Sequence, residues 1–474
     1  MVAAELAEAG LEVIVLEEGG YHPTEEFSSD VGAMLRKLYR DGGAAMALGE
    51  PPITYSEGRA VGGSTVINGG MSWRTPEKVL ARWRREDWVA DATPSALDPY
   101  FARVERRVSV GLQDPWTVGR DNALLAEGAE KLGWKVVPNL RNQVHCAGSN
   151  NCAFGCPTGA KRSTLVTYVP RALHFGARLL AHCRADRLLT RRKRVVGVEG
   201  RVVRADATLG ERFVVRAPVV VSAAGAIHTP GLLLRSGIRT PSGRLGKNLS
   251  LHPNAKVTAV MRDEVRGWEG VHQAFQVREF QDEGFLFAAV NIPPSIVAMT
   301  LPHRGEALRA LLRDYPRMLV AGLLVEDTVT GSVRNLAGRP QAFYQLSPFD
   351  AERLVRGTAL LCELLFAVGA ERIVLPFEGA PELRSADDIR LLYAQPVRRE
   401  AMEVVTVHVM GTAALGGDRA RHVCDSYGKV YDVDGLWVAD ASLFPSPIGV
   451  NPMLTIMALA TRIAARIAET WRKR

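Results

Sequence analysis

Cysteine is scarce in this chain: six in 474 residues exclude a disulfide-built scaffold. Three of them, Cys146, Cys152 and Cys156, cluster in HCAGSNNCAFGCPTGAK, while Cys183, Cys362 and Cys424 are scattered. The cluster has no short C-x-x-C step and no fourth cysteine nearby, unlike iron–sulfur runs. A loop carrying thiols or one disulfide is therefore expected, with no metal. Long apolar runs are missing as well. None reaches the roughly 18 residues a bilayer span needs, so no transmembrane segment and a cytoplasmic location are expected. Aromatic residues make up only 7%, and the net charge of +8 comes from arginines dispersed through RWRRED, RVERR, LLTRRKR and WRKR. A nucleic-acid reader concentrates such charge on one face with interleaved aromatics, so no nucleic-acid partner is expected and the basic surface reads as solvated.

What is present is globular in texture, with 47% hydrophobic and 23% charged residues. A chain of this length exceeds a single core, so two domains are expected. The opening VAAELAEAG has helical spacing and ends at a glycine, and LEVIVLEEGG follows as a buried-strand run. A helix feeding a short strand that ends in an acid is the back half of a βαβ nucleotide-binding unit. Glu17 is placed to accept hydrogen bonds from ribose hydroxyls, with Glu18 as the alternative. The front half, a strand and a G-x-G-x-x-G phosphate turn, is not in the sequence. That strand normally lies mid-sheet, so its neighbours are expected to lack a partner.

Residues 50 to 76, PPITYSEGRAVGGSTVINGGMSWRTP, read as a loop whose glycines let backbone approach a planar or phosphorylated ligand. Residues 77 to 145 look largely helical, and VVVSAAGAIHTP is another strand-to-turn-to-helix junction of ligand-binding type. From about 253 to 403, strands such as NAKVTAVM and GFLFAAVN mix with the helix DAERLVRGTALLCELLFAVG, which fits a second domain on an antiparallel sheet.

Together these segments resemble the glucose-methanol-choline oxidoreductase family of flavoproteins. GRAVGGSTVINGG is similar to its first signature, GAIHTPGLLLRSGI to its second, and GRLGKNLSLHP to its link into the substrate domain. The end of the chain, from His408 through GLWVADASLFP to NPMLTIMALA, is similar to its active-site region. The resemblance implies an α/β fold, α+β overall: a discontinuous Rossmann-like FAD-binding domain with a substrate domain on a mostly antiparallel sheet with helices. The FAD-binding parts would be 1–76, 165–252 and 404–474, with a helical cover at 77–164 that includes the cysteine loop and a substrate domain at 253–403.

It also implies non-covalent FAD, because Ile67 stands where flavin-tethering members carry histidine. By position, Gly62, Gly63 and Ser64 would lie against the pyrophosphate and ribityl chain, and Asn68 and Gly69 along the isoalloxazine edge. Ala185 would meet the adenine through its backbone, Asp440 and Ala441 would form the turn beside the pyrophosphate, and Pro452 would open a helix whose positive end faces the flavin.

Alcohol oxidation by a flavin needs a proton acceptor, a donor to hold the oxygen and a hydride acceptor, which the flavin supplies. Histidine titrates in the right range for the first role. His408, at a strand-like end before a glycine turn, stands where the family keeps its active-site histidine. Asn451 occupies the second position, often histidine in relatives. Asparagine cannot act as a base, so His408 is expected to take the proton and the Asn451 amide to orient the oxygen, with hydride passing to flavin N5. Asn451 could also cap the helix that follows. His228 and His252 read as structural.

The apolar texture of FQVREFQDEGFLFAAVNIPPS and MLVAGLLVEDTVTG favours a hydrophobic, long-chain or sterol-like alcohol, and GCPTGAKRST resembles a loop of long-chain alcohol and sterol-type members. Electrons would pass to oxygen or another acceptor. Two alternatives stay open at this point: a flavin-containing enzyme of the hydroxynitrile lyase kind, and a truncated remnant unable to hold FAD.

Overall fold

The computed structural model describes residues 1–394 and 396–472. Helix Val2–Glu8 turns Ala4, Leu6 and Ala7 inward, onto helices Tyr168–His174 and Met453–Arg472. Small alanines on both sides of that contact let the backbones approach closely. Met453–Arg472 carries the larger apolar groups, Leu454, Met457, Leu459, Ile463 and Ile467, all buried. Each such side chain contributes roughly 1.5–3 kcal/mol of hydrophobic burial.

Beneath these helices, strand Ile14–Leu16 runs parallel to Arg178–Leu180, with Ile14 opposite Arg178. A second parallel pair joins Val220–Ser222 to Leu436–Val438. The two pairs form separate two-stranded sheets, and among the described residues no strand joins them. Parallel pairing flanked by helices is the Rossmann-like part of the fold. A three-stranded antiparallel sheet, Cys183–Arg191, Arg194–Val203 and Leu209–Arg216, extends from the first pair.

The larger sheet has nine strands. Asn254–Met261 and Met318–Val325 lie at its centre, antiparallel, from Asn254 opposite Leu324 to Val260 opposite Met318. Every residue of Met318–Val325 is buried, because alternation sends its side chains into two different cores. Leu319, Ala321, Leu323 and Val325 pack in the core shared with helix Pro348–Ala367, while Met318 and Val320 meet Val297, Leu301 and Leu311 on the other face. Ser347 caps the long helix by accepting the Asp350 amide at 3.0 Å, and Pro348 begins it. The 50–76 segment, expected as a loop, contributes a short strand, Ile53–Tyr55, that joins the same sheet in parallel with Val405–Thr406.

Pairing sets the site. In a separate four-stranded sheet Leu251 lies opposite Val409 and Ser250 opposite Met410, which brings residues 252 and 408 together. Strand Phe275–Val277, near the far end of the nine, supplies Gln276, and Asn451 precedes helix Met453–Arg472.

Candidate active site

His408 is buried in the short stretch between Val405–Thr406 and Val409–Met410. The Thr406 hydroxyl accepts the His408 amide at 3.1 Å and lies 3.0 Å from the His252 carbonyl, tying both histidine backbones to one side chain. Directly after, Gly411 takes φ +94°, and a Cβ there would sit 2.2 Å from the Asn248 carbonyl, so the turn that ends the strand requires glycine.

The two imidazoles meet Nδ1 to Nδ1 at 3.0 Å. His252 Nε2 accepts the Gly449 amide at 3.2 Å. Burial pulls His408 down to about 4, and burial with His408 alongside holds His252 well below its ordinary value, so both rings are neutral at pH 7. His252, left as structural from the sequence, is the partner of the ring expected to do the chemistry.

Asn451 Nδ2 stands 3.4 Å from His408 Nε2. The Asn451 carbonyl Oδ1 accepts Gln276 Nε2 at 3.0 Å, so the side chain serves these two neighbours and not the cap of the following helix. Gln276 Oε1 in turn accepts Arg278 Nε at 3.1 Å and Nη2 at 2.9 Å. Arg278 lies 3.6 Å over the Trp73 ring, and burial lowers its pKa to about 10. Gln276, Arg278 and Trp73 carry no sequence signal that separates them from ordinary strand and loop residues.

Glu17, at the end of its strand, is joined backbone to backbone with Cys183, two residues before Ala185. Its carboxylate accepts the Gly19 amide at 2.7 Å, and burial raises its pKa to about 7. Glu18 is instead paired with Arg40 at 3.0 Å. Gly62 and Gly63 adopt φ +97° and +55°, a conformation that side chains disfavour. Ser64 Oγ accepts the Gly58 amide at 3.0 Å and keeps its own hydrogen to donate. Asn68 Oδ1 is buried without a partner, an acceptor suited to a ring N–H, and Gly69 follows it.

The Asp440 side chain is taken up within the protein. Its carboxylate accepts the Gly225 and Ser442 amides, each at 2.9 Å, and the Thr229 hydroxyl, which locks the Val220–Ser222 junction to the turn at Ala441. Only backbone of the Asp440–Ala441 turn is left for a phosphate. Pro452 does precede a helix, accepting the Ile456 amide at 3.0 Å, and the helix opens beside Asn451.

Lys161, in the cysteine loop, is a further residue that the sequence did not single out. Its buried ammonium donates to the carbonyls of Val66 at 2.7 Å, Asn68 at 2.8 Å and Cys152 at 2.5 Å. It therefore clamps the signature on both sides of Ile67, itself buried. All six cysteines are free thiols, and His228 stands 3.4 Å from Glu57. Among the described residues there is no group of three or more metal-type ligands, and no helix long and apolar enough to cross a membrane.

The GMC oxidoreductase family models match residues 35–254 for the N-terminal part and 328–460 for the C-terminal part. A GMC-type oxidoreductase of Mycobacterium tuberculosis is 38% identical over 98% of this chain and 73% of its own length. A long-chain-alcohol oxidase of Arabidopsis thaliana is 29% identical over 99% of this chain and 66% of the relative. Among solved structures, a pyridoxine 4-oxidase superposes with a TM-score of 0.74 at 18% identity, covering 98% of this chain and 96% of that one, which shows the shared fold. The chain belongs to the GMC oxidoreductase family and is an FAD-dependent oxidoreductase.

Proposed function

We propose that the chain oxidises an alcohol to an aldehyde or ketone, with His408 taking the hydroxyl proton and Asn451 orienting the oxygen. The observation that carries this reading is the approach of His408 Nε2 and Asn451 Nδ2 to 3.4 Å in a buried setting, beside the helix start at Met453. An oxygen held by the amide lies within reach of the imidazole, and a neutral ring is the form that can accept a proton. The amide hydrogen then faces the charge that develops on oxygen.

FAD, when bound, supplies the acceptor for the carbinol hydride. Glu17 would hold its ribose, the Gly62–Ser64 turn and the Asp440–Ala441 backbone its phosphates, and Asn68 with Gly69 its ring edge. Ala185 would offer backbone to the adenine. Ile67 offers no atom for a covalent tether, so the cofactor is held by these contacts alone. The other electron acceptor, oxygen or a substitute, completes the cycle.

The substrate we propose is a hydrophobic or long-chain alcohol. Likeness to the Arabidopsis long-chain-alcohol oxidase along nearly the whole chain supports it. The test is anaerobic flavin bleaching by a panel of long-chain, sterol, sugar and short alcohols, run on the wild type and on His408→Ala. Bleaching by the long-chain or sterol members, slowed by about 10²–10⁴-fold in the variant, is expected. Cyanohydrin cleavage with no bleaching by any alcohol would assign the site to lyase chemistry instead.

A further inference from the structure

We propose that Arg278 and Gln276 are positioning residues that set the tautomer of His408, holding it in the form able to take a proton. The proposal rests on the reading of His408 and Asn451 given above.

Arginine can only donate, and Arg278 reaches Gln276 through both Nε at 3.1 Å and Nη2 at 2.9 Å. Gln276 must therefore turn Oε1 toward Arg278, which leaves its NH₂ for Asn451 at 3.0 Å. Asn451 answers with Oδ1 and so presents its own NH₂ to His408 Nε2 at 3.4 Å. That contact is a hydrogen bond only if Nε2 carries a lone pair. The His408 proton then sits on Nδ1 and points at His252 Nδ1, 3.0 Å away.

The opposite end of the chain argues for the other tautomer. The Gly449 amide is also a fixed donor, 3.2 Å from His252 Nε2, and it favours a His252 that gives its Nδ1 hydrogen to His408. His408 would then carry its hydrogen on Nε2, facing the Asn451 NH₂, and could not act as a base. With two neutral rings between two fixed donors, one contact is always mismatched. The guanidinium decides where, because charge-assisted hydrogen bonds are roughly twice as strong as neutral ones and two of them hold Gln276. Among the described residues no carboxylate pairs with Arg278, which leaves its charge directed at Gln276.

Gln276→Glu reverses the relay while keeping its shape. A carboxylate pairs with Arg278 and accepts on both oxygens, so Asn451 rotates, offers NH₂ to Glu and turns Oδ1 to His408. Every contact is then satisfied with the His408 hydrogen on Nε2, the form that cannot take a proton. The experiment uses the full chain loaded with FAD and labelled with ¹⁵N-histidine, as wild type, Gln276→Glu and Arg278→Lys. Side-chain ¹⁵N shifts, the thermal midpoint and the anaerobic rate of flavin reduction by an alcohol are read for each.

The expected result is a wild type with His408 protonated at Nδ1. Gln276→Glu should have an equal or higher midpoint, protonation at Nε2, and flavin reduction slowed about 100-fold or more. Arg278→Lys, still a pure donor, should lose less than about tenfold. A wild type with the hydrogen on Nε2, or a Gln276→Glu variant within about threefold of the wild-type rate, overturns the proposal. If no alcohol reduces the wild-type flavin, the proposed function fails, and the ¹⁵N shifts still decide the relay.

Discussion

His252 and His408 meet edge to face, with their ring planes at 88° and their Nδ1 atoms 3.0 Å apart. Only one hydrogen fits between two such atoms, so each ring fixes which nitrogen of the other is protonated. The Gly449 amide approaches the far nitrogen of His252, Nε2, at 3.2 Å.

His252→Phe tests that dependence. A ring stays in place, while His408 Nδ1 loses its partner, at about 1–3 kcal/mol for a buried polar group left unpaired. The thermal midpoint should fall, and flavin reduction should slow tenfold or more with little change in KM. A variant that is less stable yet reduces flavin at the wild-type rate would make His252 a packing residue only.

The acid limb of the reaction follows from burial. His408 is pulled down to about 4, so the neutral form that accepts a proton persists well below the ordinary histidine range. The rate of flavin reduction should hold from neutrality down to about pH 5 and fall below it, where an unperturbed histidine would already have lost its activity near pH 6.5.

Stability carries the same signature with a definite sign. Between pH 6.5 and about 4 the unfolded chain binds the proton that folded His408 refuses, so the stability its neutral form contributes is whole above 6.5 and is lost as pH falls through about 4. Glu17 runs the other way: its pKa is raised to about 7, so its share is whole below the ordinary carboxylate value and declines as pH rises through 7. Comparing the midpoint against pH for wild type and His408→Phe isolates the histidine. The two curves should converge toward pH 4 and diverge above it.

How far the site could be read from sequence depends on which residues carry local signals. His408 ends an apolar strand at a glycine, Asn451 stands before a proline that precedes a helix, and Glu17 ends a β-branched run; each is marked by its immediate neighbours. The partners are not. His252 lies 156 residues from His408, and Gln276 lies 175 from Asn451; the first meeting is set by strand register in a four-stranded sheet, and the second by where strand Phe275–Val277 of the nine-stranded sheet reaches the start of helix Met453–Arg472. No periodicity along the chain encodes that register. Asp440 was recognisable by its motif, yet its side chain faces Gly225 and Thr229, an orientation that depends on the parallel pairing of Val220–Ser222 with Leu436–Val438.

Lys161 is the sharpest case, because a lysine in a glycine-rich loop ordinarily reads as solvated. Here it is buried, and burial lowers its pKa to about 8. Its three hydrogens satisfy the carbonyls of Val66, Asn68 and Cys152. Lys161→Met keeps the length of the aliphatic stem and removes all three donors. The carbonyls on either side of Ile67 would then be free to turn, and the loss should be about 3 kcal/mol or more of stability. The flavin-binding consequence is separate from the global one, since Asn68, whose Oδ1 is buried and unpartnered, is one of the residues proposed to hold the ring edge. Purified Lys161→Met should therefore release FAD on dilution faster than wild type, by tenfold or more in dissociation constant, even at temperatures where circular dichroism shows it folded. Equal retention of FAD by a folded Lys161→Met would confine the clamp to stability and detach it from the cofactor.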